Sequence, residues 1–173
     1  MRSMMAAVLL VAAAPLMAQA HGVTASCADI SMRNLPEKLA GWGKQPAMER
    51  AGATAAEAPL VMPGAKMELT LLPATLVTLA HPPGQQRTAD APHAGIIAVD
   101  VPADGIWLIA ASKPVWIDVL AGGHPVEALK FGNLAPCTSI RKVVEFPLKA
   151  GRHLVQLSGN PGSVVEIMIS SER

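Results

Sequence analysis

From Lys66 onward the sequence alternates apolar and polar residues, and turn residues interrupt the alternation about every ten positions. In the first such run, Met67 and Leu69 alternate with Glu68 and Thr70, which is typical of a strand with one buried face. Runs of this kind, or short apolar runs bounded by turns, follow at 75–80, 95–101, 105–111, 115–120, 126–130, 141–148, 153–158 and 164–170. About eight or nine short strands joined by turns predict an all-β, antiparallel β-sandwich of jelly-roll or immunoglobulin-like type.

Three of these strands have clear inward-facing sets. The apolar residues at alternate positions are Val115, Ile117 and Val119, then Val144, Phe146 and Leu148, and finally Val165, Ile167 and Ile169. The run from Ile106 to Ile109 is apolar on both faces, so we expect a central strand that is covered on both sides.

The segment 21–65 lacks this alternation. Asn34 and Pro36 could begin a short helix as cap and first-turn residue, and Gly41 would end it. An Ala-rich stretch at 51–58 could add a helical turn before Pro59 stops it. We therefore expect two parts, an irregular and partly helical N-terminal arm over 21–65 and a β-sandwich domain over 66–173.

Residues 1–20 have the features of a secretory signal peptide. Arg2 precedes an apolar run over 4–14, and the Ala18–Ala20 tripeptide has the small residues that signal peptidase accepts. The run is shorter than the roughly 20 apolar residues that a membrane-spanning helix needs. We predict cleavage after Ala20, a mature chain that begins at His21, and a periplasmic or secreted location.

The chain has two cysteines, Cys27 and Cys137, and both remain after this cleavage. In an oxidising compartment such a pair most often forms a disulfide. Lipidation of Cys27 is disfavoured because Thr24 stands where an aliphatic residue is required. Free thiols are the remaining alternative to the predicted Cys27–Cys137 bond.

Charge and motifs exclude several functions. Loss of Arg2 from the 14 basic residues leaves a balance with the 13 acidic ones, so we expect no binding to nucleic acid or to an anionic membrane surface. The sequence has no second long apolar segment, so we expect no stable membrane insertion after cleavage. The sequence has no Gly-x-Ser-x-Gly motif and no phosphate-binding glycine loop. Candidate carboxylates fall on outward-facing strand positions and are interpreted as solvated; they are Asp100, Asp118, Glu145 and Glu166.

The five histidines predict no metal site at ligand spacing. Those within the domain fall at turns or strand starts and are interpreted as solvated; they are His81, His93, His124 and His153. His21 is the weak exception, since a histidine at a free N-terminus can bind copper through its amino group and its ring nitrogen.

The most distinctive surface group combines Trp116 with Asp118, and with Arg141 and Lys142 from another strand. A tryptophan beside charges on a sheet face can bind a ligand. The alternative, which we favour, is that this face supports the N-terminal arm, with Trp42 packed nearby.

Four stretches resemble a group of small exported bacterial proteins without established function. They are LAGW at 39–42, WIDVL at 116–120, CTSIRKVVEF at 137–146 and GRHLVQLSG at 151–159. Some members of the group carry the name homogentisate 1,2-dioxygenase, which implies an enzyme that opens an aromatic ring with iron and oxygen. Such enzymes hold iron with two histidines and a glutamate, whereas here only Glu127 closely follows a histidine, His124. A weaker resemblance is to sandwich domains appended to secreted peptidases, which bind rather than catalyse.

These observations favour an exported, soluble β-sandwich that binds a small molecule or a protein, without catalysis and without a cofactor. The alternative is an iron-dependent dioxygenase of the homogentisate type. The candidate binding surface is Trp116, Asp118 and Arg141.

Overall fold

The computed structural model describes residues 35–85, 92–132 and 137–172. These ranges form twelve strands and three short 3-10 helices, the latter at Glu37–Gly43, Ala55–Glu57 and Ala74–Leu76. The strands are β1 (Ala47–Arg50), β2 (Leu60–Val61), β3 (Lys66–Thr70), β4 (Leu72–Pro73), β5 (His93–Val101), β6 (Gly105–Ala111), β7 (Trp116–Ala121), β8 (His124–Val126), β9 (Lys130–Gly132), β10 (Lys142–Leu148), β11 (Gly151–Asn160) and β12 (Val164–Ser171).

The strands form two mixed sheets of six strands each. The first sheet has the order β1-β3-β12-β6-β10-β9, and the second has the order β2-β5-β11-β7-β8, with β4 paired to β5. Neighbours are antiparallel except for β1 with β3 and β2 with β5, which are parallel. The expectation of eight or nine purely antiparallel strands is therefore corrected to twelve strands in mixed sheets.

The additional strands explain the difference. β1, β2, β4, β8 and β9 are two to four residues long, which is too short for an alternating pattern to be recognised. β1 and β2 lie within the segment 21–65, so the N-terminal arm adds one strand to each sheet.

One hydrophobic core joins the two sheets. It contains residues of β3, β6, β10 and β12 from the first sheet and of β5, β7 and β11 from the second. All nine residues predicted to face inward at 115–119, 144–148 and 165–169 are buried there, so the alternation identified the core face of three strands.

A second, smaller cluster lies on the outer face of the first sheet. Leu39 and Trp42 of the first 3-10 helix pack with Leu108 and Ala110 of β6 and with Met168 of β12. Strand β6 is therefore buried on both faces over Trp107–Ala111. The expected arm over the central strand is confirmed for this helix.

Two predicted strands are wrong. The run 126–130 contains the end of β8 and the start of β9 instead of one strand. The run 75–80 pairs with no strand. Its half-buried Val77 and Leu79 alternate with exposed Thr78 and Ala80, because an extended segment shows period two whenever one side lies against the protein.

The two phenylalanines of the chain allow a test of this core. Phe146 is 2% exposed and Phe131 is 78% exposed. We expect Phe146→Ala to lower the free energy of unfolding by about 3–5 kcal/mol because it leaves a cavity between the sheets. Phe131→Ala should change it by less than about 0.5 kcal/mol. Urea denaturation of both variants measures the difference, and similar losses at the two positions would contradict the assignment of the core.

Candidate functional site

The segment 77–85, here called the strap, crosses the outer face of the second sheet. Gln156 of β11 is fully buried there and bonds the strap on both sides of one residue. The backbone N–H of His81 donates to Gln156 Oε1 at 3.1 Å, and Gln156 Nε2 donates to the carbonyl oxygen of His81 at 3.0 Å. The strap is thus fixed by a buried side-chain amide that forms hydrogen bonds with both the N–H and the carbonyl group of His81.

Trp116 and Asp118 lie on the same outer face of β7, beside Gln156. The Trp116 indole Nε1 donates to Asp118 Oδ1 at 2.9 Å. A Cβ added to Gly84 of the strap would lie 3.2 Å from Trp116 Cζ2 and 3.3 Å from Asp118 Oδ1. This face therefore supports the strap. The expected packing of Trp42 near this face is wrong, because Trp42 packs on the other sheet. Residues 21–34 of the arm lie outside the described residues.

A cleft of about 360 Å³, here called the aromatic cleft, opens beside Trp116. Its lining residues are Gln85, Pro114, Trp116, Phe131, Gly132, Arg141 and Lys142. The Lys142 ammonium lies 4.8 Å from the centre of the Trp116 ring and donates to the carbonyl oxygen of Val115 at 2.9 Å. Both contacts hold the cation against the indole.

The charges of the aromatic cleft are one-sided. Arg141 and Lys142 line it, and none of its described lining residues is a carboxylate. Within the described ranges the Arg141 guanidinium has no hydrogen-bond or ion-pair partner. Phe131 projects from the edge strand β9 and is largely exposed. The cleft thus offers two cations and two aromatic rings.

A second cleft, here called the hydroxyl cleft, is also lined by Arg141. Its volume is about 490 Å³, and it is lined by Ser112, Lys113, Ser139, Arg141, Val164 and Glu166. It is located where β6 ends and where β10 and β12 begin. Arg141 is the residue that the two clefts share.

The structure brings together two of the three residues of the candidate surface that was predicted from the sequence. Trp116 and Arg141 line the same cleft, as expected, while Asp118 is bonded to Trp116 beneath the strap. In the described part of the chain, Asp118 Oδ2 is buried without a hydrogen-bond partner. Phe131 and Gln85 were not predicted, because an exposed phenylalanine in a three-residue strand has the same sequence pattern as a buried one.

Two of the other outward carboxylates, Asp100 and Glu166, are held in ion pairs. Arg152 binds Asp100 through two hydrogen bonds of 2.8 Å, and these lower the pKa of Asp100. Lys66 lies 3.1 Å from Glu166. In both pairs the cation comes from a neighbouring strand. Glu145 is half-buried and has no ion pair among the described residues.

The histidines differ from the expected solvated turns in two places. His153 lies within β11 and is buried, with its Nδ1 3.1 Å from the carbonyl oxygen of Gly151. His93 is half-buried, and in the described ranges its Nδ1 has no partner. The prediction of a solvated His153 was wrong because Gly151, which was interpreted as a turn residue, is already the first residue of β11.

Among the described residues, no group of three or more His, Cys, Asp or Glu side chains could hold a metal ion. His124 and Glu127 therefore lack a third ligand there, and we derive no step through iron. His21 lies outside the described residues, so copper binding stays a prediction.

Cys137 is the one cysteine within the described ranges, and it is not a free thiol. Its predicted partner, Cys27, lies outside these ranges, so their pairing also stays a prediction. No helix of the described residues is both long enough and apolar enough to cross a bilayer.

No protein-family model matches this chain, and no curated protein sequence is significantly similar to it.

The Gln156 contacts lead to a test of the strap. Gln156→Leu keeps the side-chain size but leaves the N–H and carbonyl groups of His81 unpaired, so we expect a stability loss of about 1–3 kcal/mol. The amide hydrogen of His81 should also exchange faster. Gln85→Leu, at the exposed end of the strap, is the matched control and should leave both unchanged. Equal exchange at His81 in the two variants would show that Gln156 does not fix the strap.

Proposed function

We propose that this protein is an exported β-sandwich that binds a ligand or partner at the aromatic cleft and does no chemistry there. The cleft is built for an apolar group that carries a negative charge, since aromatic rings and cations line it together. Tryptophan and arginine are also the residues most enriched where binding energy is concentrated.

One observation carries this proposal. The Arg141 guanidinium and the exposed Phe131 ring lie in one cleft, and within the described residues the ring is largely exposed and the guanidinium is unpaired. An exposed aromatic ring beside an unpaired guanidinium contributes little to the core. Both groups would gain contacts when a second molecule enters the cleft.

The alternative remains an iron-dependent dioxygenase, as the resemblance to small exported proteins implies. That enzyme requires stoichiometric iron, whereas the binding function requires none. Elemental analysis of the purified mature chain, with oxygen uptake measured on homogentisate, therefore separates the two.

Binding can be measured with benzoate as the probe, since it combines a ring with a carboxylate. The chain has three indole N–H signals, and two of them come from the buried Trp42 and Trp107. We expect benzoate to shift the Trp116 signal in a ¹⁵N spectrum and to leave the other two in place. Acetate lacks the ring and benzylamine has the opposite charge, so neither should shift it.

Variants connect the shift to the cleft. Arg141→Gln should weaken benzoate binding by about twofold to fivefold because it removes an exposed charge pair. Phe131→Ala should weaken benzoate binding more than Arg141→Gln does. Met48 is equally exposed but lies on the opposite edge strand, β1, so Met48→Ala should leave benzoate binding unchanged. If all three variants bind benzoate like the parent chain, the aromatic cleft is not the binding site.

Export and the disulfide are proposed together, since the second needs an oxidising compartment. We expect the intact mass of the periplasmic or secreted product to correspond to a chain beginning at His21. Before reduction, this mass should be lower by two hydrogen atoms because Cys27 and Cys137 are bonded. A full-length product, or a mass unchanged by reduction, would contradict the first or the second statement respectively.

A further inference from the structure

We propose that the hydroxyl cleft is a binding site for a tetrahedral oxyanion, a phosphate or a sulfate group. This inference does not require the aromatic cleft to bind anything. It rests on the hydrogen-bonding state of four residues, Ser112, Lys113, Ser139 and Arg141, which present donors to the same cleft.

The two serines are prepared to donate. Ser112 Oγ accepts the backbone N–H of Glu166 at 2.9 Å, and Ser139 Oγ accepts the Trp42 indole N–H at 2.8 Å. A hydroxyl has one proton to donate as well as its acceptor lone pairs. The fold therefore uses one lone pair of each serine oxygen, and in the described residues it uses neither hydroxyl proton, so both protons are available for donation to an anion.

The two cations are not paired within the described part of the fold. In the described ranges neither Lys113 nor Arg141 has a side-chain hydrogen bond or an ion pair, and both are exposed. A guanidinium and an ammonium form the strong, charge-assisted hydrogen bonds that oxyanions favour. The one carboxylate of the cleft, Glu166, is neutralised by Lys66.

Backbone pairing holds these donors in place. The Ser112 N–H donates to the Glu166 carbonyl at 2.9 Å, and the Arg141 N–H donates to the Ala111 carbonyl at 2.8 Å. Ser139 is fixed by Trp42, which is fully buried. The backbone and the two serine hydroxyls are thus fixed before binding, which lowers the part of the ordering cost that comes from them.

The arrangement favours a tetrahedral anion over a carboxylate. The donors come from two separate segments, the β6–β7 connection and the residues before β10. A carboxylate has two oxygens in one plane, whereas phosphate and sulfate have oxygens in several directions. An anion with oxygens in several directions can accept from both segments at once.

The test is a titration of the full mature chain with inorganic phosphate and, separately, with sulfate. Ionic strength is kept constant with chloride, since exposed charges are screened by salt. We expect both anions to shift the backbone amide signals of Lys113 and Arg141 and to saturate. Acetate at the same concentrations should produce no saturable shift, and a saturable acetate shift of equal affinity would overturn the tetrahedral assignment.

Matched variants separate a site from general charge. Lys113→Gln and Arg141→Gln should each weaken phosphate binding by about threefold or more. Lys44→Gln and Arg50→Gln remove exposed cations elsewhere on the surface and should leave it unchanged. Equal weakening by all four variants, or no saturable binding of either anion, would overturn the proposal.

The same experiment distinguishes this site from the aromatic cleft. Phe131→Ala should leave phosphate affinity unchanged while it weakens benzoate, and Lys113→Gln should do the reverse. Loss of phosphate binding on Phe131→Ala would mean that the anion sits in the aromatic cleft, which overturns the assignment to the hydroxyl cleft.

Discussion

The structure depends on the packing of two apolar sheet faces against each other. Only this packing gives β3, β6, β10 and β12 a common inner face with β5, β7 and β11. Apolar burial is non-directional, so it determines which faces meet but leaves the outer faces to be covered separately. The first 3-10 helix covers the first sheet, and the strap extends over the second.

The two covers use different physics. On the first sheet, Leu39 and Trp42 exclude water from the apolar side chains of β6 and β12. On the second sheet, Gln156 is a buried amide, and such a group is stable only when its donors and acceptor are paired. The strap supplies both partners from a single residue, His81. The position of the strap is therefore more specific than hydrophobic contact alone would make it.

Sequence patterns predicted the seven strands that are five or more residues long, either by alternation or, as for β6, by a short apolar run bounded by turns. β6 was predicted with the same bounds as observed. The patterns failed where a segment alternates but does not pair, or pairs but is too short to alternate. Residues 77–80 of the strap alternate in burial and yet form no strand in the described structure. By contrast, β1, β2, β4, β8 and β9 pair with neighbours over only two to four residues. The sequence also did not predict that β1 and β2 of the arm pair in parallel, because the direction and register of so short a strand are determined by the partner strand. For the site, Trp116 and Arg141 were found by their unusual chemistry, but Phe131 was not, since exposure is a tertiary property.

Both clefts lie where the chain passes from the first sheet at Ala111 to the second at Trp116. At such a crossing, strands end and their side chains turn away from the core, so polar groups can gather without a burial penalty. Ser112 and Lys113 then line the hydroxyl cleft, Pro114 and Trp116 line the aromatic cleft, and Arg141 lines both. A guanidinium has five N–H donors in a planar fork. The two proposed sites would therefore be coupled through Arg141, because a ligand that binds this guanidinium in one cleft leaves fewer of its donors for a ligand in the other.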